Sequence, residues 1–164
     1  MIQFLLRFLL RGAFRISSTK FGGWFFTTIQ PHFDRALLKL TRGRYSIAGI
    51  AIPTLLLVTT GRRSGKQRTV PLLYIPSENE GIFYIIGSRG GRKAHAAWFY
   101  NIQANASVHV TVGGSTHPYT ASVLEEPERS QVWAHFVEYN RHFEKYQNRI
   151  ERQIPVVRLE PSDG

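Results

Sequence analysis

Six short apolar runs separated by turn-forming residues constrain the fold of this chain more than any other feature. The runs occupy residues 54–60, 69–75, 82–87, 108–112, 116–124 and 154–159. Each has the length and composition of a strand, and turn signals such as Gly113-Gly114-Ser115 lie between them. Short strands in this order close most readily into a small barrel. The sequence therefore predicts a β-barrel with helical additions (mainly β, or α+β) and about six antiparallel strands.

Helices are predicted before and between these strands. Apolar periodicity favours helices over residues 2–16 and 31–41, and a third helix from about residue 92 to residue 105. A longer helix opens at Pro127, because proline is tolerated in a first turn, and it continues to residue 150 with a break near Asn140. We expect an N-terminal helical extension over residues 1–45 and a barrel domain over residues 46–164.

The N-terminal segment carries Arg7, Arg11 and Arg15 on one helical face, opposite an apolar face. A membrane-spanning helix needs roughly 20 mostly apolar residues, and the charges do not fit a signal peptide. An interfacial helix and a helix packed on the domain both stay open, so residues 1–18 are a possible peripheral membrane contact. The expected location is cytoplasmic, with the inner face of the cell membrane as a peripheral alternative.

The composition points to a reducing compartment and an anionic partner. The chain has no cysteine, which excludes disulfides, thiolate catalysis and Cys-based zinc sites. Its histidines show no metal-binding spacing, and no metal site is predicted. The formal net charge is +10, which is compatible with nucleic acid, an anionic membrane surface or a phosphorylated ligand.

A cationic turn flanked by glycines follows the first apolar run. Its cations are Arg62, Arg63, Lys66 and Arg68, with no acid among them. Gly61 and Gly65 allow successive backbone N–H groups to face inward as an anion site. The turn is not a Walker A loop, since its glycines are too close together and Gln67 replaces the required hydroxyl residue. Alone, the stretch is equally compatible with a solvated basic hairpin.

A second cationic, glycine-rich loop over residues 87–93 follows the third run and leads into the predicted third helix. Helix N-termini bind anions through free amides and the helix dipole. Two such loops at the ends of neighbouring strands would converge on one elongated anion. Nucleic acid would favour a broad basic stripe with exposed aromatic residues instead, so no nucleic-acid partner is expected.

Several ordered motifs resemble the deazaflavin-dependent nitroreductases of actinobacteria. They are TLLLVTTGRRSGKQRTVPLLY, GSRGG, HAAWFYNIQANASVHV and EYNRHFEKYQNRIERQIPVVRLEP, and the resemblance spans residues 41–161. It implies a split β-barrel related to FMN-binding oxidoreductases and a possible homodimer. It also implies coenzyme F420, whose lactyl phosphate and oligoglutamate tail form an elongated anion.

The resemblance also implies which residues bind the coenzyme. They are Arg62, Arg63, Ser64, Arg68, Thr69, Val70, Pro71, Leu72, Leu73, Ile86, Gly87, Ser88, Arg89, Ala97, Trp98, Phe99, Tyr100 and Asn101. The basic members would take the phosphate and the tail, while Pro71 and Trp98 would flank the flat ring. The alternative role of Trp98 is ordinary core packing.

A reductase that transfers hydride from reduced F420 to an apolar acceptor is the leading hypothesis; the acceptor would be a quinone, an enone or a nitroaromatic compound. Ser88, Tyr139 and Tyr146 are the candidates for hydrogen bonding to this acceptor, because hydroxyl groups stabilise developing negative charge. Phe143 and Leu73 stand where nitroreductases of the family carry tyrosines. These departures weigh against nitroimidazole reduction.

Two other hypotheses remain at this stage. An FMN-binding split-barrel oxidoreductase would keep the fold, but FMN carries a single phosphate and explains less of the positive charge. A non-enzymatic binder of membrane surfaces or nucleic acid would use the net charge and the N-terminal helix, and its binding would fall steeply with salt.

Overall fold

Six antiparallel strands form a closed barrel in the computed structural model, which describes residues 53–162. The strands are β1 (Thr54–Thr60), β2 (Gln67–Pro76), β3 (Phe83–Ile86), β4 (Ser107–Val112), β5 (Ser115–Val123) and β6 (Val156–Pro161). Their order around the barrel is β1-β2-β3-β6-β5-β4, and β1 closes the barrel by pairing with β4. The predicted fold class is confirmed. The predicted extension over residues 1–45 and its boundary lie outside the described residues.

Alternation of side chains along each strand builds the barrel core. Leu55 and Leu57 of β1 are fully buried, and β2 places Leu72 and Val70 opposite them. The buried core residues are Leu55, Leu57, Ile85, Trp98, Phe99, Ile102, Val108, Val110, Tyr119, Ala121, Val157 and Leu159. Since successive side chains point to opposite faces of a strand, the residues between them lie on the outside of the barrel.

Three α-helices and one short 3₁₀ turn complete the described part of the chain. They are the 3₁₀ turn (Arg89–Gly91), α1 (Ala97–Ala104), α2 (Glu128–Tyr139) and α3 (His142–Gln147). Helix α1 contributes Trp98, Phe99 and Ile102 to the barrel core. Burial of each such side chain contributes roughly 1.5–3 kcal/mol. No helix among residues 53–162 is long and apolar enough to cross a membrane.

Helices α2 and α3 cover part of the outer barrel surface through a second apolar cluster. Its buried members are Ile86, Leu124, Val132, Phe136, Phe143, Ile150, Ile154 and Val156. Leu73 and Ile75 of β2 pack against it from the outer face of the barrel. The predicted helix break is confirmed: Asn140 is extended, and its Oδ1 accepts a bond from the His142 backbone N–H at 3.0 Å.

Several predicted boundaries are wrong, and two of them have a clear physical cause. The third predicted helix begins at Ala97 rather than near Arg92, because the carbonyls of Arg92 and Lys93 accept hydrogen bonds from a distant arginine instead of helical N–H groups. The last strand begins at Val156 rather than at residue 154. Pro155 has no N–H for the strand ladder, and the pairing of β6 with β3 begins one residue later, at Val156 and Ile86.

Candidate active site

The first cationic turn is closed by its own backbone. Gly61 donates its N–H to the Lys66 carbonyl at 2.8 Å, and Gly65 donates to the Gly61 carbonyl at 2.8 Å. Gly65 has a φ of +65°, a conformation that side chains rarely adopt. A Cβ atom at Gly61 would lie 2.8 Å from the Ser64 Oγ and 3.1 Å from the Lys66 carbonyl oxygen, so a side chain here would require the serine hydroxyl to move and the turn to shift slightly. Residues 62–69 are exposed, which leaves the cations of the turn in solvent.

Asn101 of α1 ties this turn to the barrel. Its Oδ1 accepts the Arg62 backbone N–H at 3.1 Å, and its Nδ2 donates to the Thr59 Oγ1 at 3.0 Å. Both Asn101 and Thr59 are buried, so these bonds satisfy polar groups away from solvent. The Arg62 guanidinium lies over the ring of Tyr100, with 4.7 Å between Cζ and the ring centroid.

The second cationic loop contains three consecutive residues with positive φ. They are Arg89 at 47°, Gly90 at 63° and Gly91 at 73°. A non-glycine residue in this region costs roughly 1–2 kcal/mol. The Arg89 guanidinium donates to the carbonyls of Ala94 at 3.4 Å and His95 at 3.0 Å, and these bonds hold the loop closed.

The first turn and the end of the second loop approach each other at Tyr100. Arg62 of the first turn lies over the Tyr100 ring, and the ring of His95, which follows the second loop, meets it edge-on at 5.8 Å between centroids. His95 also contacts the Phe99 ring at 4.7 Å. The convergence predicted for the two loops is therefore present at one surface of α1.

The cations of these two loops lack acidic partners within residues 53–162. The ion pairs there join Glu126, Glu128 and Glu160 to Arg129 and Arg158, which belong to the α2 and β6 region. Several exposed cations on adjacent turns repel one another, and an anionic ligand relieves that repulsion. The donor set therefore fits an elongated anion such as a coenzyme with a phosphate and a carboxylate tail.

The predicted coenzyme-binding residues of β2 lie on both faces of the strand, because successive side chains point in opposite directions. Val70 and Leu72 pack against the barrel core, whereas Leu73 packs against the cluster under α2 and α3. Thr69 and Pro71 pair with Val58 and Leu56 of β1 on the outer face. The segment is thus not a single contact surface, although it begins at the first cationic turn.

The predicted residues on α1 and β3 are mostly buried. Trp98 is 6% exposed and Phe99 is 5% exposed, both within the barrel core, and Ile86 belongs to the second cluster. Gly87 donates its N–H to the Pro155 carbonyl at 2.9 Å, while Ala97 is exposed. The role of Trp98 beside a flat ring stays a prediction, and only a small part of its surface could serve it.

The three candidate acceptor-binding residues are not equally close to the second loop. Gly91, whose N–H donates to the Ser88 carbonyl at 3.0 Å, lies against the backbone of Tyr146; a Cβ atom at Gly91 would be 3.2 Å from the Tyr146 Cα. Ser88 and Tyr146 thus belong to adjoining elements. Tyr139 is the last residue of α2 and is 44% exposed. Burial raises the pKa of the Tyr139 phenol, which keeps this hydroxyl protonated.

The sequence matches the F420H(2)-dependent quinone reductase family over residues 35–161, which is most of the chain. The chain belongs to this family. Membership confirms the resemblance inferred from the motifs, and with it the oxidoreductase class and the F420 coenzyme.

Individual relatives agree with this assignment. An F420H(2)-dependent quinone reductase of Mycobacterium tuberculosis is 34% identical over 129 residues, covering 76% of this chain and 85% of that protein. A solved F420-H2-dependent reductase (FDR-A) is 38% identical with a TM-score of 0.59, covering 66% of this chain and 94% of its own. Another solved structure, described as a domain-swapped dimer, is 34% identical with a TM-score of 0.62, covering 80% and 96%.

Two residues of this F420H(2)-dependent quinone reductase family member were missed by the sequence reasoning. Arg152, between α3 and β6, reaches the second loop, and His95 lies between that loop and Tyr100. The contacts of Arg152 with residues 88–95 join positions 57–64 residues apart in the chain. No local spacing signals such a pairing, and the sequence assigns His95 no role beyond the absence of a metal-binding arrangement.

Proposed function

We propose that this protein transfers hydride from reduced F420 to a quinone, with the coenzyme held across the two cationic loops. The proposal rests on one observation: Arg62 of the first turn and His95, which follows the second loop, both contact the Tyr100 ring. The absence of acidic partners for their cations within residues 53–162 supports an anionic coenzyme. Family membership supports both the coenzyme and the acceptor class.

The basic residues would hold the anionic part of the coenzyme. Arg62, Arg63 and Arg89 carry forked donors suited to phosphate and carboxylate oxygens, and Ser64 adds a hydroxyl beside them. Reduced F420, when bound, supplies the hydride from its deazaflavin ring. The protein contributes binding and orientation, and it requires no nucleophile of its own.

Hydroxyl groups near the second loop would orient and polarise the acceptor. Ser88 immediately precedes the 3₁₀ turn, and Tyr146 lies in α3 against the same turn. A neutral O–H donor stabilises negative charge that develops on a carbonyl oxygen as the carbonyl is reduced. Tyr139, whose pKa is raised by burial, would serve as a protonated donor at the end of α2.

A quinone is favoured over a nitroaromatic acceptor by the packing at Phe143. This residue is 7% exposed, and its ring meets Phe136 edge-on at 6.0 Å between centroids. A tyrosine hydroxyl at this position would lie within an apolar cluster, and Leu73 packs against the same cluster. Since Phe143 and Leu73 have no hydroxyl group, nitroimidazole reduction that depends on tyrosines at these two positions is not expected.

A titration of the purified protein with F420 and, separately, with FMN tests the proposal. We expect saturable binding of F420 with a change in its fluorescence, and oxidation of reduced F420 by a soluble naphthoquinone under anaerobic conditions. Arg62→Gln should weaken F420 binding, whereas Arg141→Gln, which removes an exposed charge between α2 and α3, should not. A yellow protein that binds FMN but not F420 would favour the other split-barrel enzyme class instead.

Location and assembly complete the proposal. We expect the protein to act in the cytoplasm. Residues 1–18, which lie outside the described residues, are the segment that would contact the inner face of the membrane. The domain-swapped dimer among its structural relatives supports a homodimer. Light scattering of the full chain, with and without lipid vesicles, tests both expectations.

A further inference from the structure

The side chain of Arg152 is the main tertiary anchor of the second cationic loop. Its Nε donates to the Lys93 carbonyl at 2.8 Å and to the Arg92 carbonyl at 3.2 Å. Its Nη2 donates to Arg92 at 2.9 Å and to the Ser88 carbonyl at 3.4 Å. One guanidinium therefore spans the loop from Ser88 to Lys93, its last residue.

No carboxylate accompanies this guanidinium within residues 53–162; carbonyl dipoles and a histidine nitrogen surround it. Burial is the main cause of a lowered pKa at Arg152, and the nearby Arg89 also lowers it. Here the charge adds to a positive surface, and this arrangement suits a loop that receives an anion.

Arg152 also fixes the protonation pattern of His95. Its Nη1 lies 3.2 Å from the His95 Nδ1. A guanidinium can only donate, so Nδ1 must accept, and the proton of the neutral ring is on Nε2. Burial is the main cause and Arg152 the second cause of a lowered pKa at His95, so the neutral form is favoured.

The His95 ring is also held in place by aromatic neighbours. It stacks at 30° on Phe99 and stands at 88° to Tyr100. Among residues 53–162, no group bonds to Nε2, so this N–H is an oriented donor with no protein acceptor. The ring itself lies beside Tyr100, the residue that Arg62 of the first turn also contacts.

Gln147 fixes Arg152 in turn. Its Nε2 donates to the Arg152 carbonyl at 2.9 Å, and its Oε1 accepts the Ile154 N–H at 2.8 Å. Gln147 is the last residue of α3, the helix that carries Tyr146. The loop, the arginine and the helix of a candidate acceptor-binding residue thus form one connected unit.

We propose that Arg152 is the positioning residue of the F420 site: it shapes residues 88–95 and holds His95 as a neutral ring whose Nε2–H is available to an oxygen of the coenzyme. The inference rests on the proposed function, because that function assigns Ser88 and Arg89 to the coenzyme. Arg152 acts through the loop and through His95, and it need not touch the coenzyme.

Two measurements on the full chain test this inference. Nitrogen NMR of the ligand-free protein reports the tautomer of each histidine ring, with His95→Gln identifying the signal. We expect His95 with its proton on Nε2 in the wild type and a mixture of tautomers in Arg152→Met. F420 titration should show roughly tenfold or greater loss of affinity in Arg152→Met, because several charge-assisted bonds disappear together.

Matched variants separate positioning from general destabilisation. Arg149→Met removes an exposed arginine from the same segment and should change neither the tautomer nor the affinity. Arg152→Lys keeps the charge but cannot form the fork, so it should retain part of both properties. It also provides a folded comparison if Arg152→Met does not fold.

The outcomes are distinguishable. A wild-type His95 with its proton on Nδ1, or a folded Arg152→Met that binds F420 as the wild type does, would overturn the inference. Failure of the wild type to bind F420 would overturn the proposed function and the assigned role toward the coenzyme. The NMR result would still show whether Arg152 sets the state of His95.

Discussion

At the scale of single residues, the site depends on a buried polar side chain, Asn101, whose amide oxygen and amide nitrogen both form hydrogen bonds. Asn101 is 6% exposed and joins a backbone N–H of the first turn to a hydroxyl of β1. An asparagine suits this place because one amide group offers an acceptor and a donor on adjacent atoms. Its location one residue after Tyr100 links the position of Arg62 to the contact between the two loops.

We predict that Asn101→Ala destabilises the protein by about 1–3 kcal/mol, since it leaves the Arg62 N–H and the Thr59 hydroxyl without this partner. Arg62 should also lose its fixed position, so F420 affinity should fall. Urea unfolding and F420 titration measure the two effects. Gln103→Ala, at an exposed position of the same helix, should change stability by less than about 0.5 kcal/mol. Equal effects of the two substitutions would contradict the assigned role.

His95 predicts a specific dependence of stability on pH. Its pKa is lowered from 6.5 by burial and then by Arg152, with Arg89 and Tyr100 also nearby. Above 6.5 the ring is neutral in both the folded and the unfolded chain. As the pH falls below 6.5 toward the lower folded pKa, the unfolded chain binds the proton first, so stability decreases.

Replacement of His95 by glutamine removes this titration while keeping a hydrogen-bond acceptor for Arg152. Urea unfolding of the wild type and of His95→Gln between about pH 5 and pH 8 should show a smaller loss of stability on acidification in the variant. Parallel curves for the two proteins would show that His95 does not titrate in the way described.

Residue-level roles were only partly predictable. The cations of both loops and the glycines that shape them could be read from adjacent sequence, and the structure brings those loops together. Arg152 could not be recognised, because its bonds to the second loop cross 57–64 residues of chain. The burial of Trp98 could not be inferred either, since an apolar helix residue has the same signature beside a core and beside a ligand.

At the scale of elements, the contact between the 3₁₀ turn and α3 determines how the second loop meets the C-terminal helices. Gly91 combines a φ of +73° with close approach to the Tyr146 backbone. Gly90, its neighbour, has a φ of +63° but no atom within 4 Å of an added Cβ. A substitution at Gly90 therefore tests backbone conformation alone, whereas a substitution at Gly91 tests conformation and packing together.

We predict that Gly90→Ala costs about 1–2 kcal/mol through conformation alone. Gly91→Ala should cost at least about 1 kcal/mol more, because its Cβ would lie 3.2 Å from the Tyr146 Cα and must displace the turn or the helix. Urea unfolding compares the stabilities, and F420 titration should show the larger loss of affinity in Gly91→Ala. Identical behaviour of the two variants would argue against a rigid contact here.

The elements themselves followed well from periodicity, and their ends did not. Short apolar runs bounded by turn residues predicted all six strands, and Gly113-Gly114 predicted the β4–β5 hairpin, where both glycines have positive φ. The start of α1 was misplaced because the carbonyls before Ala97 are bound by Arg152. Element ends are set by such long-range hydrogen bonds, which the local pattern does not contain.

At the scale of the whole molecule, charge is distributed unevenly. The net charge is +10, yet the ion pairs among residues 53–162 lie in the α2 and β6 region, away from the two cationic loops in sequence. Exposed cations without acidic partners attract an anion over a distance that dissolved salt shortens. Affinity for an anionic coenzyme should therefore depend on where a positive charge lies, and not only on how many there are.

This distribution leads to a prediction for Arg63, an exposed cation of the first turn. Arg63→Gln should weaken F420 binding roughly two- to fivefold at low salt, the range expected for one exposed charge pair. Raising the salt concentration should weaken F420 binding in the wild type and reduce the difference in affinity between the wild type and Arg63→Gln. Dissolved salt screens the attraction of Arg63 for the coenzyme, and the variant lacks this attraction at any salt concentration. Arg141→Gln lowers the net charge by the same amount at a position outside both loops and should leave the wild-type affinity and its salt dependence unchanged. Isothermal titration at several salt concentrations measures all three proteins. If both substitutions weaken binding equally, the net charge of the molecule, and not the two loops, attracts the coenzyme.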